Sequence, residues 1–124
     1  VYADGALGSR GASMIDDYSD KKGYFGIIRT PVDSIRSLAF KLAGTNFQMN
    51  THAIGDNANR IVLQAYRDAL FDFRDPRWRV EHAQVINKND IVSSAVISVT
   101  IFDVSEPECI PDPPCKINVS ALDD

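Results

Sequence analysis

The sequence predicts an α/β protein built from parallel βαβ units. Two amphipathic helical patterns alternate with short apolar segments, and the links between them are short. The two histidines of the chain, His52 and His82, stand about 30 residues apart, which is the length of one βαβ repeat. A strand, helix and strand in this order are typical of a right-handed parallel crossover.

The composition is that of a globular domain with a buried core, because 44% of its 124 residues are apolar. The net charge of −4 is spread over scattered charges and leaves no basic surface for a phosphate backbone. We therefore expect no nucleic-acid partner. No apolar run reaches the roughly 20 residues that span a bilayer, and no signal segment is present. We expect a cytoplasmic protein without a membrane partner, whose natural start lies before Val1.

The first predicted element is the end of a strand at residues 1–3, followed by a glycine-rich loop at residues 4–12. The loop continues through polar residues to about residue 23, and a loop of this length is uncommon unless it serves a site. Asp4 and Arg10 are therefore candidates for contact with a substrate or an anion. A salt bridge and turns within the loop would explain both residues equally well.

A first helix is predicted after the loop. Thr30 is a suitable N-cap, Pro31 suits the first helical position and Gly44 is placed to end the helix. One face of this helix is apolar at helical spacing, formed by Ile35, Leu38, Ala39 and Leu42.

The next elements are a strand at residues 47–54, a helix from about residue 57 to 71 and a strand at residues 78–83. Asp56 or Asn57 is the expected N-cap of that helix. Weaker patterns predict a short helix at residues 91–95, with Lys88-Asn89-Asp90 as its cap, and a strand at residues 96–102.

The last segment, residues 103–124, combines prolines with acidic residues, and we expect a poorly ordered acidic tail after a folded unit at residues 1–102. Cys109 and Cys115 lie in this tail at a spacing that matches no zinc or redox motif. Free thiols and a local disulfide both remain open.

The positions of the two histidines suggest a shared metal site. His52 and His82 end successive predicted strands, and the carboxyl ends of parallel strands meet at one edge of a sheet. Two imidazoles at that edge can share a zinc ion, although a catalytic zinc usually has three protein ligands. Each histidine alone could also be a partly buried structural side chain. Asp56 is explained by capping, and Glu81 is expected to pair with Arg79 or Arg60.

Three segments in order, DGALGSRGA at 4–12, HAIGD at 52–56 and EHAQ at 81–84, resemble the amidohydrolase superfamily. The likeness is strongest to the branch of N-substituted formamide deformylases and related proteins, and it covers about residues 1 to 92. It implies a fragment of a (β/α)8 TIM-type barrel, about strands 4 to 6 or 7. It also implies His52 and His82 as ligands of a divalent metal, with zinc expected, and hydrolysis of amide or formamide C–N bonds by a metal-activated water.

The chain departs from that pattern, since no His-x-His precedes these segments and no counterpart of the eighth-strand aspartate is present. A complete barrel takes about 250 residues, so we expect an inactive middle portion that self-associates or joins the missing remainder of the barrel. The alternative function is a non-catalytic α/β interaction module that binds a partner through its acidic tail. A third hypothesis is a small enzyme with a two-histidine acid/base pair and no metal.

Overall fold

A computed structural model describes residues 1–72, 76–91 and 98–100 of the chain. The helices α1, α2 and α3 are Val32–Ala43, Asp56–Ala69 and Lys88–Ile91, and the strands β1, β2 and β3 are Asn50–Ala53, Arg79–His82 and Ser98–Thr100. The predicted tail at residues 103–124, with both cysteines, lies outside the described residues.

The three strands form one parallel sheet in the order β1-β2-β3. This confirms the predicted parallel βαβ arrangement, with α2 as the crossover between β1 and β2. The N-terminal segment adds to the sheet beside β1, because the amide of Ala3 donates to the carbonyl of His52 (2.8 Å) and the amide of His52 donates to the carbonyl of Val1 (2.9 Å). Residues 1–3 thus lie next to β1 as a short strand-like piece.

The core lies between the helices and the sheet. Helix α1 buries Ile35, Ala39 and Ala43, while Leu38 and Leu42 are partly buried against the same cluster. Helix α2 is amphipathic and buries a face that contacts both α1 and the first two strands. The residues on that buried face are Ala58, Asn59, Val62, Leu63, Ala65, Tyr66 and Ala69.

Tyr66, on the buried face of α2, forms hydrogen bonds at the start of both β1 and β2. Its buried hydroxyl lies 2.7 Å from Thr51 Oγ1, 3.1 Å from the carbonyl of Met49 and 3.2 Å from the carbonyl of Arg79. Burial raises the pKa of this phenol, because the charged form would have to leave water. Tyr66 therefore holds the two strands that carry the histidines at one end.

Several predicted helix ends were wrong. Helix α1 has Pro31 at its cap position, because the hydroxyl of Thr30 instead donates to the carbonyl of Tyr2. Helix α2 begins at Asp56 and ends at Ala69, with Gly55 rather than Asp56 or Asn57 at its cap. Its first amides are satisfied by the carbonyl of Ser13, which accepts from Asn57 and Ala58.

The weaker predictions near the end of the described chain were partly right. Helix α3 covers Lys88–Ile91, so Lys88-Asn89-Asp90 lies within the helix and not before it, and the side chain of Asn87 accepts from the amide of Asn89 at its start. Residues 92–95 of the predicted helix lie outside the described residues. Strand β3 lies within the predicted strand at residues 96–102. Glu81 pairs with Arg79 at 3.4 Å, as expected, whereas Arg60 pairs with Asp90 at 3.0 Å.

The long loop after residue 4 is folded rather than structureless. Its middle turns back on itself, since the amide of Met14 donates to the carbonyl of Phe25 (2.8 Å) and that of Tyr18 donates to the carbonyl of Tyr24 (2.9 Å). The loop is tied to the core where Asp56 accepts from the amide of Ile15. The loop therefore packs against the first turn of α2, which follows the carboxyl end of β1.

Candidate metal centre

The two histidines meet at the carboxyl edge of the sheet. His52 lies in β1 and His82 ends β2, and their ring centroids are 4.7 Å apart with the planes at 71°. Two imidazoles that share one zinc ion at about 2.1 Å place their ring centres roughly 5 Å apart. The observed spacing is compatible with such a shared ion.

The register of the sheet alone would separate these rings. His52 is paired with Glu81, whereas His82 is paired with Ala53. Side chains alternate between the two faces of a strand, so a regular β2 would place His82 on the face opposite His52. The ring reaches His52 because the backbone of His82 leaves the β region, with a φ of +74°.

Left-handed backbone continues at the next residue, where Ala83 has a φ of +43°. For a residue with a side chain this conformation costs about 1–2 kcal/mol, and it persists only where surrounding contacts enforce it. Here the amide of Ala83 donates to the carbonyl of Ala53 and the amide of Val85 donates to the carbonyl of Ile54, both at 2.9 Å. The strain is thus fixed by hydrogen bonds to the end of β1.

Asn59 braces the same two chain segments from helix α2. It is buried, and its Nδ2 lies 2.9 to 3.2 Å from the carbonyls of Ile54, Gly55 and Val85. Its Oδ1 has no hydrogen-bond partner within the described part of the chain. No helical or strand pattern in the sequence indicates these contacts. The pattern therefore showed Asn59 only as a polar residue in a helix.

His52 is partly enclosed, with 17% of its side chain exposed. Its Nε2 is buried and has no hydrogen-bond partner among the described residues, the nearest carboxylate oxygen being Asp4 Oδ1 at 3.5 Å. Burial lowers the pKa of His52 below its ordinary value, and His82 lowers it further, while Asp4 acts in the opposite direction. A neutral imidazole with an unused nitrogen is the form that a metal requires.

Asp4 is fully buried behind His52. Its carboxylate accepts hydrogen bonds from the amides of Ser13 (2.9 Å), Ile54 (2.9 Å) and Gly55 (2.8 Å). The side chain therefore joins the N-terminal segment, the loop and the end of β1. Its predicted contact with substrate stays a prediction.

Arg10 lies in the loop and forms an exposed ion pair with Asp20. Its Nη2 is 2.7 Å from Asp20 Oδ2, and its Nε lies about as close to both carboxylate oxygens. The hydrogen bond from Arg10 lowers the pKa of Asp20. The loop thus contains a salt bridge of its own, made to Asp20 and not to Asp4, and substrate binding by Arg10 stays a prediction.

Tyr2 is a neighbour of the histidines that the sequence did not reveal. Its ring centroid is 5.3 Å from that of His52, and the guanidinium carbon of Arg29 is 5.9 Å from the same phenol ring. The sequence indicates this position only weakly, because Tyr2 belongs to no motif and is notable only for lying two residues before Asp4.

No third metal ligand accompanies the histidines in residues 1–72, 76–91 and 98–100, where no group of three or more His, Cys, Asp or Glu residues is arranged to hold an ion. Within those ranges no helix is long and apolar enough to cross a membrane.

Two solved structures with a fold similar to that of this chain are described as metal-dependent hydrolases. A structure described as an uncharacterized metal-dependent hydrolase from Pyrococcus furiosus matches 76% of the chain with a TM-score of 0.66 and 26% identity. A second, from Pyrococcus horikoshii, matches 79% with a TM-score of 0.68 and 23% identity. The fold matches a segment of metal-dependent hydrolases. The chain covers 19% and 20% of those two proteins.

A sequence relative comes from a plant. The Arabidopsis thaliana protein named LONG AFTER FAR-RED 3 is 33% identical over 86 residues, which are 68% of this chain and 15% of that protein. No protein-family model matches the chain. The chain therefore spans about a fifth or less of each of these three relatives.

Proposed function

We propose that the protein is a metal-dependent hydrolase of non-peptide C–N bonds, of the amidohydrolase type, in which His52 and His82 bind the metal. The observation that carries the proposal is the left-handed backbone at His82, which brings its ring to 4.7 Å from that of His52 against the register of the sheet. Strain of this kind is concentrated at functional sites. The metal-dependent hydrolases with the matching fold support the same inference.

The described residues fit a divalent metal in two respects. The buried Nε2 of His52 has no hydrogen-bond partner among them, and leaving such a group unsatisfied costs about 1–3 kcal/mol unless a ligand takes it. The donor set of imidazole nitrogens suits zinc and other first-row transition metals better than magnesium or calcium, and zinc is the ion we propose. We assign β1 and β2 to the fifth and sixth strands of a (β/α)8 barrel, so the remaining ligands would come from outside the described residues.

Each residue has a distinct task in this proposal. His52 and His82 would hold the ion, which when bound would lower the pKa of a water molecule to near 7 and polarise the carbonyl of an amide or formamide. Asp4 keeps the end of β1 in place through three amides. The folded loop contacts the start of α2, where Asp56 accepts from the amide of Ile15.

A zinc titration of the full chain tests the ligand assignment. Replacing a residue that only contacts a metal ligand typically weakens metal binding 10- to 100-fold. Removing a ligand itself should weaken it at least as much. We therefore expect His52→Ala and His82→Ala each to lower the zinc affinity about 100-fold or more. Gln84→Ala is the matched control, because Gln84 is exposed two residues after His82. Wild-type affinity in both histidine variants would refute the assignment and favour a non-catalytic α/β interaction module.

The bond class needs a separate assay. Formamides and amides should be hydrolysed by the zinc-loaded protein when the complete barrel is present, and chelation should abolish the activity. Hydrolysis of matched esters alone would contradict the C–N assignment, and activity that survives chelation would favour a two-histidine acid/base pair without metal.

A further inference from the structure

Beside the histidine pair lies an exposed aromatic side chain. Tyr2 is 62% exposed although its ring lies against His52, with the ring planes tilted at 48°. An aromatic ring that contacts a partly buried side chain and is itself more than half exposed can offer its free surface to a planar or apolar molecule. The ring therefore lies next to the candidate metal centre.

A positive charge accompanies that ring. The guanidinium of Arg29 lies over the ring of Tyr2, with its carbon 5.9 Å from the ring centroid. Arg10, Arg36 and Arg60 each pair with an aspartate, whereas Arg29 is exposed and has no carboxylate within ion-pair distance in the part of the chain that the structure describes. Its fork of donors is thus available to an anion.

Three hydrogen bonds hold the backbones of Tyr2 and Arg29 next to the candidate metal centre. The amide of Arg29 donates to the carbonyl of Ala3 (2.8 Å), and the hydroxyl of Thr30 donates to the carbonyl of Tyr2 (2.7 Å). The amide of Ala3 in turn donates to the carbonyl of His52. This chain of contacts fixes the backbones of Tyr2 and Arg29 relative to His52 before any ligand binds, and such preorganisation of the backbone favours binding.

We infer that Tyr2 and Arg29 form a recognition surface for a carboxylate attached to a planar or apolar group. The guanidinium binds the carboxylate through paired hydrogen bonds, and the phenol ring packs on the apolar part. As a statement about substrate this rests on the proposed function, and it narrows the substrates to amides or formamides that also carry a carboxylate. Binding at the surface itself requires no metal.

The test uses the metal-free full chain with benzoate as the probe and benzamide as its neutral counterpart, followed by NMR titration of the backbone amides. Benzoate should bind more tightly than benzamide and shift the amides of residues 2–4 and 28–30. Arg29→Gln should weaken benzoate binding about tenfold and leave benzamide unchanged. Tyr2→Ala should weaken both probes, and Tyr2→Phe should restore binding.

Two control variants distinguish specific binding at this surface from nonspecific electrostatic or hydrophobic binding elsewhere. Arg36→Gln removes one exposed positive charge on α1, and Phe71→Ala removes an aromatic ring that is 87% exposed elsewhere; neither should change benzoate binding. Equal affinity for benzoate and benzamide, wild-type benzoate binding by Arg29→Gln, or no benzoate binding by the wild type would each overturn the inference. A failed zinc titration with intact benzoate binding would instead count against the metal centre alone.

Discussion

Replacing the buried carboxylate of Asp4 tests whether its three hydrogen bonds stabilise the backbone of the candidate site. Asp4→Asn keeps the size of the side chain but replaces one carboxylate oxygen by an NH2 group. Oδ2 accepts from the amides of Ser13 and Gly55, and Oδ1 accepts from the amide of Ile54. In the best orientation the amide oxygen keeps the first two bonds, and the NH2 group faces the Ile54 amide.

The expected cost follows from these three bonds. One buried donor loses its acceptor, which costs about 1–3 kcal/mol, and the two remaining bonds lose the strengthening of a charged acceptor, about 0.5 kcal/mol each. We expect Asp4→Asn to lower the free energy of unfolding by about 3 kcal/mol. Urea denaturation followed by circular dichroism measures this loss.

Two matched variants make the result interpretable. Asp56→Asn alters a part-buried carboxylate that accepts from the amide of Ile15, and it should cost about 1 kcal/mol. Asp20→Asn alters an exposed ion pair and should cost least. A loss for Asp4→Asn no larger than that for Asp20→Asn would refute the structural role assigned to Asp4.

Three further predictions concern the frame around the site. Tyr66→Phe should lower the free energy of unfolding by about 2 kcal/mol, because it leaves buried strand groups unsatisfied, whereas Tyr24→Phe should change it by less than about 0.5 kcal/mol. Gly55→Ala should lower the melting temperature strongly, since a Cβ there would overlap the carbonyl of Ser13; an unchanged melting temperature would contradict this close approach. A backbone hydrogen bond lowers the pKa of Asp17, so its contribution to the loop is present above its ordinary pKa of 3.8 and is lost as the pH falls through the lower value of the folded state. An NMR titration midpoint at or above 3.8 would contradict this.

The two long helices and the pairing of β1 with β2 were predictable from the periodicity of the apolar residues, because that periodicity shows which side of each element is buried. The helical patterns around Ile35 and Val62 follow from one apolar face each, and the parallel pairing of β1 with β2 follows from the crossover between them. Helix caps were less predictable. The groups that satisfy the first turn of α2 come from Ser13, far away in the sequence, and no local rule selects them.

The candidate site was predictable only in outline. Matched spacing indicated that His52 and His82 share one edge, but alternation along the strands would have put their rings on opposite faces. The left-handed turn that unites them depends on tertiary hydrogen bonds from Ala83 and Val85. The anchoring by Asp4 was hidden for the same reason, because two of its three donors lie 50 and 51 residues away.

X-ray absorption spectroscopy of the zinc-loaded chain tests the central claim most directly, since its outer-sphere scattering counts the imidazoles bound to the metal. We predict two imidazole nitrogens at about 2.0–2.1 Å from zinc, falling to one in His82→Ala. A spectrum with one imidazole or none in the wild-type protein would contradict convergence of the two rings on a single ion.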